Sequence, residues 1–205
     1  MINSESSKLN NEVFQNIKIS SQEYTIIKTI EAFYENEENV NLFCSIINSE
    51  SDISIRLIDH FVTKYAKNHK TCYKIKENNT EQIINIYTSY KQQLKAYQKK
   101  NFDPFSRGDR IPYFLKNNCV ITTIGQLNFF KWFFSKKIYN YIKNNKNNIE
   151  IDMNKKNKMS RKNQDKKNIS IKNNNYSNNK LIIIKKTSIK NINQFKKDKI
   201  IVSFE

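Results

Sequence analysis

The side chains best suited to bind an anion are concentrated between residues 91 and 110. Lys91, Lys95 and Lys99 recur at intervals of four, so on a helix they would form one line. Arg107 and Arg110 follow in the stretch FDPFSRGDRIPYF, which begins at residue 102. Arginine and lysine side chains are the usual phosphate contacts, whereas a solvated lysine face is the common alternative. We expect Arg107 to serve binding and Arg110, which begins a predicted strand, to serve the fold.

The same region holds the residue types that are rarest in this chain. Both prolines, Pro104 and Pro112, lie in it together with Gly108, and the second glycine, Gly125, and the single tryptophan follow soon after. Proline fixes φ, and glycine permits positive φ. Lysine, asparagine and isoleucine, which dominate elsewhere, cannot replace either property. The region is therefore predicted to have strict geometric requirements, with Gly108 at positive φ in a turn.

The sequence gives little indication of a metal site or of a catalytic site. His60, His69 and Cys72 have no second cluster that would complete a four-ligand zinc site. The chain contains no phosphate-cradling glycine loop, no HExxH and no GxSxG. Asp103 and Asp109 are expected to pair with the adjacent arginines and to cap the turn. We predict a protein that is not an enzyme and that uses no metal or cofactor.

An aromatic segment and the C-terminus supply a second candidate surface. The segment LNFFKWFFSKKIYNYI (127–142) is apolar nearly all round, which is typical of a central core helix and also of a helix that covers a partner. Phe129, Trp132 and Phe133 would be the contacts in the second case. Ile201 and Phe204 lie in a final IIVSFE, which can form a strand that docks on a sheet edge of this chain or of a partner.

Apolar periodicity predicts the elements that position these side chains. Helices are expected from Ser21, over 40–47, after Asp52 and over 81–100. The last of these carries the lysines, and it must end before Pro104. A hairpin is predicted over about 110–122. Thr123 and Gln126 form a capping box that begins the aromatic helix, which should run to about residue 143.

These elements predict an α+β fold that is mainly helical. It would comprise an N-terminal helical bundle, a small antiparallel hairpin, a long aromatic helix and a disordered basic tail that ends in a short strand. We assign residues 1–19 to a flexible N-terminus and 20–143 to a single domain. Residues 144–180 are assigned to a disordered Lys/Asn-rich linker, and 181–205 to short apolar segments with the terminal strand.

Charge is distributed unevenly along the chain. Residues 1–82 hold 9 basic and 12 acidic side chains, residues 83–142 hold 10 and 2, and residues 143–205 hold 17 and 5. A/T-rich codons also favour lysine and asparagine, so the location of the charge is more informative than its sum. No membrane-spanning run and no secretory signal are present. The three separated cysteines fit reduced thiols, so we expect an intracellular protein that is not secreted.

Four segments carry a resemblance to a known family: ISIRLIDHFVTKYAK (53–67), YTSYKQQLKAYQKKNFDPFSRGDRIPYF (87–114), VITTIGQLNFFKW (120–132) and the terminal IIVSFE. They resemble an uncharacterised family of small proteins encoded by large cytoplasmic DNA viruses of amoebae and algae. The resemblance covers roughly residues 50–142 and the last six. It implies a viral origin and a place in the host cytoplasm, at the viral factory, or in the virion, and it implies no biochemical activity.

These observations predict a non-enzymatic binding protein. Its basic middle face would contact nucleic acid with low sequence specificity, and the Lys-rich tail would add unspecific attraction. The alternative is a protein–protein adaptor or a virion-assembly component, which would bind another viral protein through the aromatic helix and the C-terminal strand. Affinity that falls steeply with salt would indicate the first class, and affinity that barely responds would indicate the second.

Overall fold

The computed structural model describes residues 4–77, 80–116 and 118–174, and it describes their side chains except at 4, 77 and 159–174. The chain divides into two units, Met1–Ser160 and Arg161–Glu205. The elements, in chain order, are α1 (Ser4–Gln15), α2 (Ser21–Phe33), α3 (Glu37–Ile47), α4 (Ile55–His60), a π-helix (Phe61–Tyr65), α5 (Ala66–Asn68), β1 (Cys72–Glu77), β2 (Thr80–Asn85), α6 (Ile86–Tyr97), β3 (Ile111–Leu115), β4 (Asn118–Thr122), α7 (Ile124–Ser135) and α8 (Ile138–Asn174).

The mainly helical α+β class is confirmed, and so are the helices of the N-terminal bundle. Ser20 caps α2, which begins at Ser21 as predicted, and Glu23 completes a capping box by accepting the Ser20 N–H at 2.9 Å. Asn36 and Ser54 cap α3 and α4 through their side-chain oxygens. Each helix turns an apolar stripe inward, and the members of these stripes that are fully buried include Ile30, Phe43 and Ile58.

Two antiparallel hairpins complete the fold. The predicted one pairs β3 with β4, from Ile111 opposite Thr122 to Leu115 opposite Asn118. The other pairs β1 with β2 and occupies residues that we assigned to the start of the lysine-bearing helix. The 81–100 helix prediction is therefore wrong over its first five residues. Short apolar runs such as 83–86 fit a strand and a helix equally well, and pairing with β1 decides the outcome here.

The N-terminus forms a helix, contrary to the prediction that residues 1–19 are flexible. Asn10 of α1 is buried against β3, where its amide nitrogen donates to the Phe114 carbonyl at 2.9 Å. Its carbonyl oxygen accepts the Phe114 N–H at 2.8 Å. The Ser6 hydroxyl donates to the Lys116 carbonyl at 2.9 Å. Helix α1 thus satisfies backbone groups along the outer edge of β3, which would otherwise be open to pairing with another strand.

The aromatic segment forms two helices where one was predicted. Helix α7 ends at Ser135, Lys137 adopts a φ of 55°, and α8 begins at Ile138. Helix α8 then continues to Asn174, so the structure describes a helix over 144–174, where we assigned a disordered linker. Buried Ile142 and Ile149 explain the difference, because a sparse apolar stripe is enough where a core lies beneath it. The predicted terminal strand lies outside the described residues.

No helix among the described residues is long and apolar enough to cross a membrane.

Candidate nucleic-acid interface

The first half of the Pro/Gly/Arg segment is attached to the start of α7 by hydrogen bonds. The side chain of Asn128 donates to the Asn101 carbonyl at 2.9 Å, and that of Gln126 donates to the Pro104 carbonyl at 2.8 Å. The Asp103 N–H donates to the Gly125 carbonyl at 3.2 Å. Both amide side chains are buried, so these bonds replace water for backbone groups that have left it. Residues 101–104 are consequently part of the core.

Gly125 permits this attachment through its lack of a side chain. A Cβ at position 125 would lie 2.6 Å from the Lys100 carbonyl oxygen and 3.3 Å from backbone atoms of Asn101. Gly108 has a different role from the one predicted, because neither glycine has a positive φ. A Cβ at Gly108 would meet the Thr123 side chain at 3.9 Å, which is ordinary van der Waals contact. The geometric requirement therefore falls on Gly125.

Arg107 is bound by a carboxylate of the same segment. Its Nε and Nη2 donate to the two oxygens of Asp103 at 2.7 and 2.8 Å. The Phe105 N–H donates to the same carboxylate at 3.2 Å, and the guanidinium lies 4.9 Å from the centre of the Phe105 ring. The hydrogen bonds with Asp103 raise the pKa of Arg107. This arrangement corrects our expectation for Arg107, since its planar fork is used within the loop.

Arg110 shows the reverse arrangement. It is exposed, and within the described ranges it has neither an ion pair nor a side-chain hydrogen bond. It precedes the first residue of β3 without taking part in the strand pairing. The expectation that Arg110 serves the fold is therefore wrong, and of the two arginines it is the one whose guanidinium is open to a ligand.

A cleft of about 450 Å³ lies between this loop, the α1–α2 connection and the start of α7. We call it the loop cleft. Four cationic side chains line it: Lys18, Lys100, Arg107 and Arg110. Its other lining residues are Ile17, Ile19, Glu23, Asn101, Gly108, Asp109, Ile111, Thr123, Ile124 and Gly125.

The two anionic side chains of the loop cleft differ in their surroundings. Glu23 is buried and forms an ion pair of 3.0 Å with Lys100. Burial raises the pKa of Glu23, but hydrogen bonds from the Ser20 N–H and hydroxyl together with Lys100 hold it below its usual value. Asp109 is exposed, and it has no ion pair within the part of the chain that the structure describes. Lys18 likewise has none in that part of the chain.

The predicted line of three lysines is broken by the end of α6. Lys91 and Lys95 are exposed on that helix, one turn apart. Gln98 caps the helix with a φ of 58°, and Lys99 lies beyond this reversal. Lys99 is also exposed, and it precedes Lys100 at the rim of the loop cleft. The lysines thus follow the chain from α6 toward the cleft.

We call these exposed cations the basic band: Lys18, Lys91, Lys95, Lys99, Lys100, Arg107 and Arg110. Four carboxylates lie among them: Glu23, Asp59, Asp103 and Asp109. Seven positive and four negative groups leave a formal charge of +3. Lys18 and Lys100 were missed from the sequence. Lys18 lies in a segment assigned to a flexible terminus, and Lys100 breaks the four-residue spacing.

Asp59 belongs to the same electrostatic neighbourhood. It is partly buried in α4, two residues before the π-helix begins at Phe61. Burial raises the pKa of Asp59, and the positive charge of Arg107 opposes that rise while the negative charge of Asp103 adds to it. Asp59 also helps to raise the pKa of Tyr90 to about 12, after the larger effect of burial. The sequence carried no signal for Asp59 at this site.

The aromatic helix faces the core and offers no partner surface. Phe129 and Phe133 are fully buried and Trp132 nearly so. The Trp132 indole N–H donates to the Ser89 hydroxyl at 3.0 Å, and its ring lies 5.5 Å from that of Phe102. The alternative in which these three residues contact a partner is therefore wrong for the folded chain. The other two predicted contacts, Ile201 and Phe204, lie outside the described residues.

Both histidines lie close to the Asp152 carboxylate, a contact that the sequence did not indicate. The Nε2 of buried His60 lies 2.9 Å from Asp152 on α8, and that of His69 lies 3.9 Å from the same carboxylate. Lys156 donates to Asp152 at 2.8 Å. Burial lowers the pKa of His60, against the opposing influence of Asp152. The contacts of His60 and His69 with Asp152 connect the end of α4 and the residue after α5 to α8. No group of His, Cys, Asp and Glu within the described ranges could hold a metal ion.

Comparison with known proteins gives one family and one relative. The model of DUF7197, a family of unknown function, matches residues 4–203. An uncharacterized protein of Acanthamoeba polyphaga mimivirus is 37% identical over 165 residues, which cover 76% of this chain and 64% of that protein. The chain therefore spans less than two thirds of the length of this relative. No solved structure matches. These similarities support the resemblance to an uncharacterised giant-virus family.

Proposed function

We propose that this chain, which belongs to DUF7197, a family of unknown function, binds nucleic acid through the basic band with low sequence specificity. The binding would be non-catalytic and would involve the phosphate backbone. It would place the protein on viral nucleic acid, in the host cytoplasm or in the virion.

The observation that supports this proposal most is the availability of the cations in the basic band. Lys100 and Arg107 are paired with Glu23 and Asp103. The other five have no ion pair with any residue that the structure describes: Lys18, Lys91, Lys95, Lys99 and Arg110. An unpaired surface cation can displace the small cations condensed around a phosphate, and the entropy of the released ions drives the binding.

The nature of the contacts supports low specificity. Four of the five unpaired groups are lysines, whose ammonium acts as a compact point charge with no preferred plane. Base-specific recognition relies instead on side chains that present two hydrogen bonds in fixed geometry, such as an arginine against guanine. Arg107 already makes such a pair of hydrogen bonds with Asp103. Phosphate contacts fix position on a strand and carry no sequence information directly.

A charge-matched pair of variants of the full chain tests the proposal. One variant carries Lys95→Gln, Lys99→Gln and Arg110→Gln in the basic band. The other carries Lys185→Gln, Lys186→Gln and Lys190→Gln, which remove the same charge from the C-terminal region. We expect the first variant to weaken binding to a single-stranded oligonucleotide far more than the second. The slope of log K against log[salt] should fall in magnitude by about 0.7 for each phosphate contact that is lost.

Two outcomes would contradict the proposal. The wild-type chain would fail to bind single-stranded or double-stranded nucleic acid at low salt, or the C-terminal variant would lose as much affinity as the basic-band variant. In the second case the Lys-rich end of the chain would bind the nucleic acid, and the basic band would not. The unfolding midpoint of the basic-band variant should equal that of the wild type, because Lys95, Lys99 and Arg110 are exposed.

A further inference from the structure

We infer that the loop cleft binds a phosphate monoester at the end of a nucleic-acid strand, while the lysines of α6 bind the phosphates that follow. This inference rests on the proposed function, and it adds where the end of the bound strand would lie on the protein. The partner is thus narrowed from nucleic acid in general to strands that carry a terminal phosphate.

The size and lining of the loop cleft fit such a group. Its volume of about 450 Å³ lies within the range of roughly 300–1,000 Å³ that is typical of small-molecule sites. Lys18 and Arg110 contribute cations that have no ion pair within the described residues, and they lie in the same cleft as Lys100 and Arg107. Asp109 is the single lining carboxylate without a cationic partner in that part of the chain. The cleft therefore has unneutralised positive charge available for an anion.

The charge and shape of the ligand favour a monoester over an internal diester. A phosphate monoester carries a charge of about −1.5 to −2 at neutral pH, whereas an internal phosphate carries one negative charge. Lys18 and Arg110, which have no ion pair within the described residues, can donate hydrogen bonds to the additional anionic oxygen of a monoester. A terminal phosphate also has one covalent attachment, so it can enter a concave site from one side. An internal phosphate would require the strand to leave the cleft in two directions.

The rest of the strand would follow the chain from the cleft toward α6. Lys100 lines the cleft, Lys99 adjoins it, and Lys95 and Lys91 lie on the helix that precedes them. A hydrogen bond of 3.1 Å from the Gln22 side chain to the Ala96 carbonyl holds the start of α2 against the end of α6. The cleft and the lysines therefore belong to one fixed surface. Lys91 and Lys95 are separated by about 6 Å along the helix axis, at 1.5 Å per residue.

The walls of the loop cleft are preorganised. Gly125 allows the backbone of residues 100 and 101 to lie directly against α7, and Asn128 fixes the Asn101 carbonyl there. The pair of Arg107 with Asp103 fixes the opposite wall. Because little of the site has to become ordered when a ligand enters, most of the electrostatic attraction remains available for binding.

The test compares three single-stranded oligonucleotides of one length and sequence, measured with the full chain at one salt concentration. One carries a 5′-phosphate, one a 3′-phosphate, and one has hydroxyls at both ends. We expect one phosphorylated form to bind about tenfold more tightly than the hydroxyl form, as one added charge-assisted contact would produce. Lys18→Gln and Arg110→Gln should each reduce that preference. The matched variant Lys91→Gln should lower the affinity for all three oligonucleotides by the same factor, so the preference for the phosphorylated form should remain.

The outcomes separate this inference from the proposed function. Equal affinity for the three oligonucleotides, with steep salt dependence retained, would overturn the inference and leave the proposed function standing. No binding of any oligonucleotide would refute both. A preference that survives Lys18→Gln and Arg110→Gln would show that the terminal phosphate binds elsewhere. Inorganic phosphate, titrated alone by calorimetry, should bind far more weakly than the phosphorylated strand, and equal affinity would overturn the assignment to a strand end.

Discussion

The two halves of the segment 101–110 differ in nearly every physical respect. In the first half, Asn101 to Pro104 are buried, and side chains of α7 bind their carbonyl groups. In the second half, Arg107 to Arg110 are exposed and line the loop cleft. The rare residue types of the sequence therefore arise from two different constraints. Pro104 and Gly125 serve close packing, whereas Arg110 remains available to a ligand.

This difference shows why scarcity of a residue type does not by itself indicate function. The two glycines are equally rare, yet an added Cβ would collide with backbone at Gly125 and fit at Gly108. The two arginines are adjacent in the loop, yet one is bound by a carboxylate and the other is free of any within the described residues.

Gly125→Ala should destabilise the protein most. The new Cβ would lie 2.6 Å from the Lys100 carbonyl oxygen, so backbone has to move at the point where the loop joins α7. Overpacking of this kind typically costs about 1–3 kcal/mol and sometimes more. Gly108→Ala is the matched control, and its urea midpoint should be unchanged or slightly raised because alanine restricts the unfolded chain. Equal midpoints for the two variants would show that the loop is not held against α7 as described.

Asp103→Asn should have the next largest effect. The substitution keeps the shape of the side chain but removes the negative charge that Arg107 binds through two hydrogen bonds. Hydrogen bonds to charged groups contribute about 1.5–3 kcal/mol. Since the Arg107 side chain is 63% exposed, we expect the lower part of that range. Asp109→Asn serves as the control and should leave the unfolding free energy unchanged, because Asp109 has no ion pair in the described part of the chain.

Asp59→Asn should produce a smaller change of the opposite sign. Burial raises the pKa of Asp59, so the folded chain holds the proton more tightly than the unfolded chain does. That group therefore supports stability below its ordinary pKa of about 3.9, and the support is lost as pH rises through the raised folded value. At pH 7 the variant should be more stable than the wild type, and the difference should shrink as pH approaches 3. A variant that is less stable at pH 7 would contradict the assigned surroundings of Asp59.

Much of the fold could be predicted because its signals are local. The Ser20 and Thr123 caps, the inward stripes of α2 to α4 and the β3–β4 hairpin all follow from spacing within a few residues. The errors arose where distant residues decide the structure. Helix α1 is stable through bonds between Asn10 and Phe114, and α8 through the buried side chain of Ile149. Neither contact can be predicted from the residues near it in the sequence.

The candidate site was predicted in part, for the same reason. The sequence identified the basic residues of α6 and the loop, and it indicated that Asp103 and Asp109 would pair with nearby arginines, which the structure shows for Asp103 with Arg107. It could not place Lys18 beside Arg110, because more than ninety residues separate them along the chain and the fold alone joins them in the loop cleft. Residue types indicated the chemistry. Only the tertiary structure shows which of them share the loop cleft.

The most direct test of this account compares Arg107→Gln with Arg110→Gln in one urea-unfolding experiment. Both variants remove one positive charge from the same loop, so their net charges are identical. We predict that the Arg107 variant has the lower unfolding midpoint, because it leaves the largely buried Asp103 carboxylate without its partner, and that the Arg110 variant matches the wild type. A lowered midpoint for Arg110→Gln, with that of Arg107→Gln unchanged, would contradict the assignment of Arg107 to the fold and of Arg110 to the exposed, unpaired part of the loop.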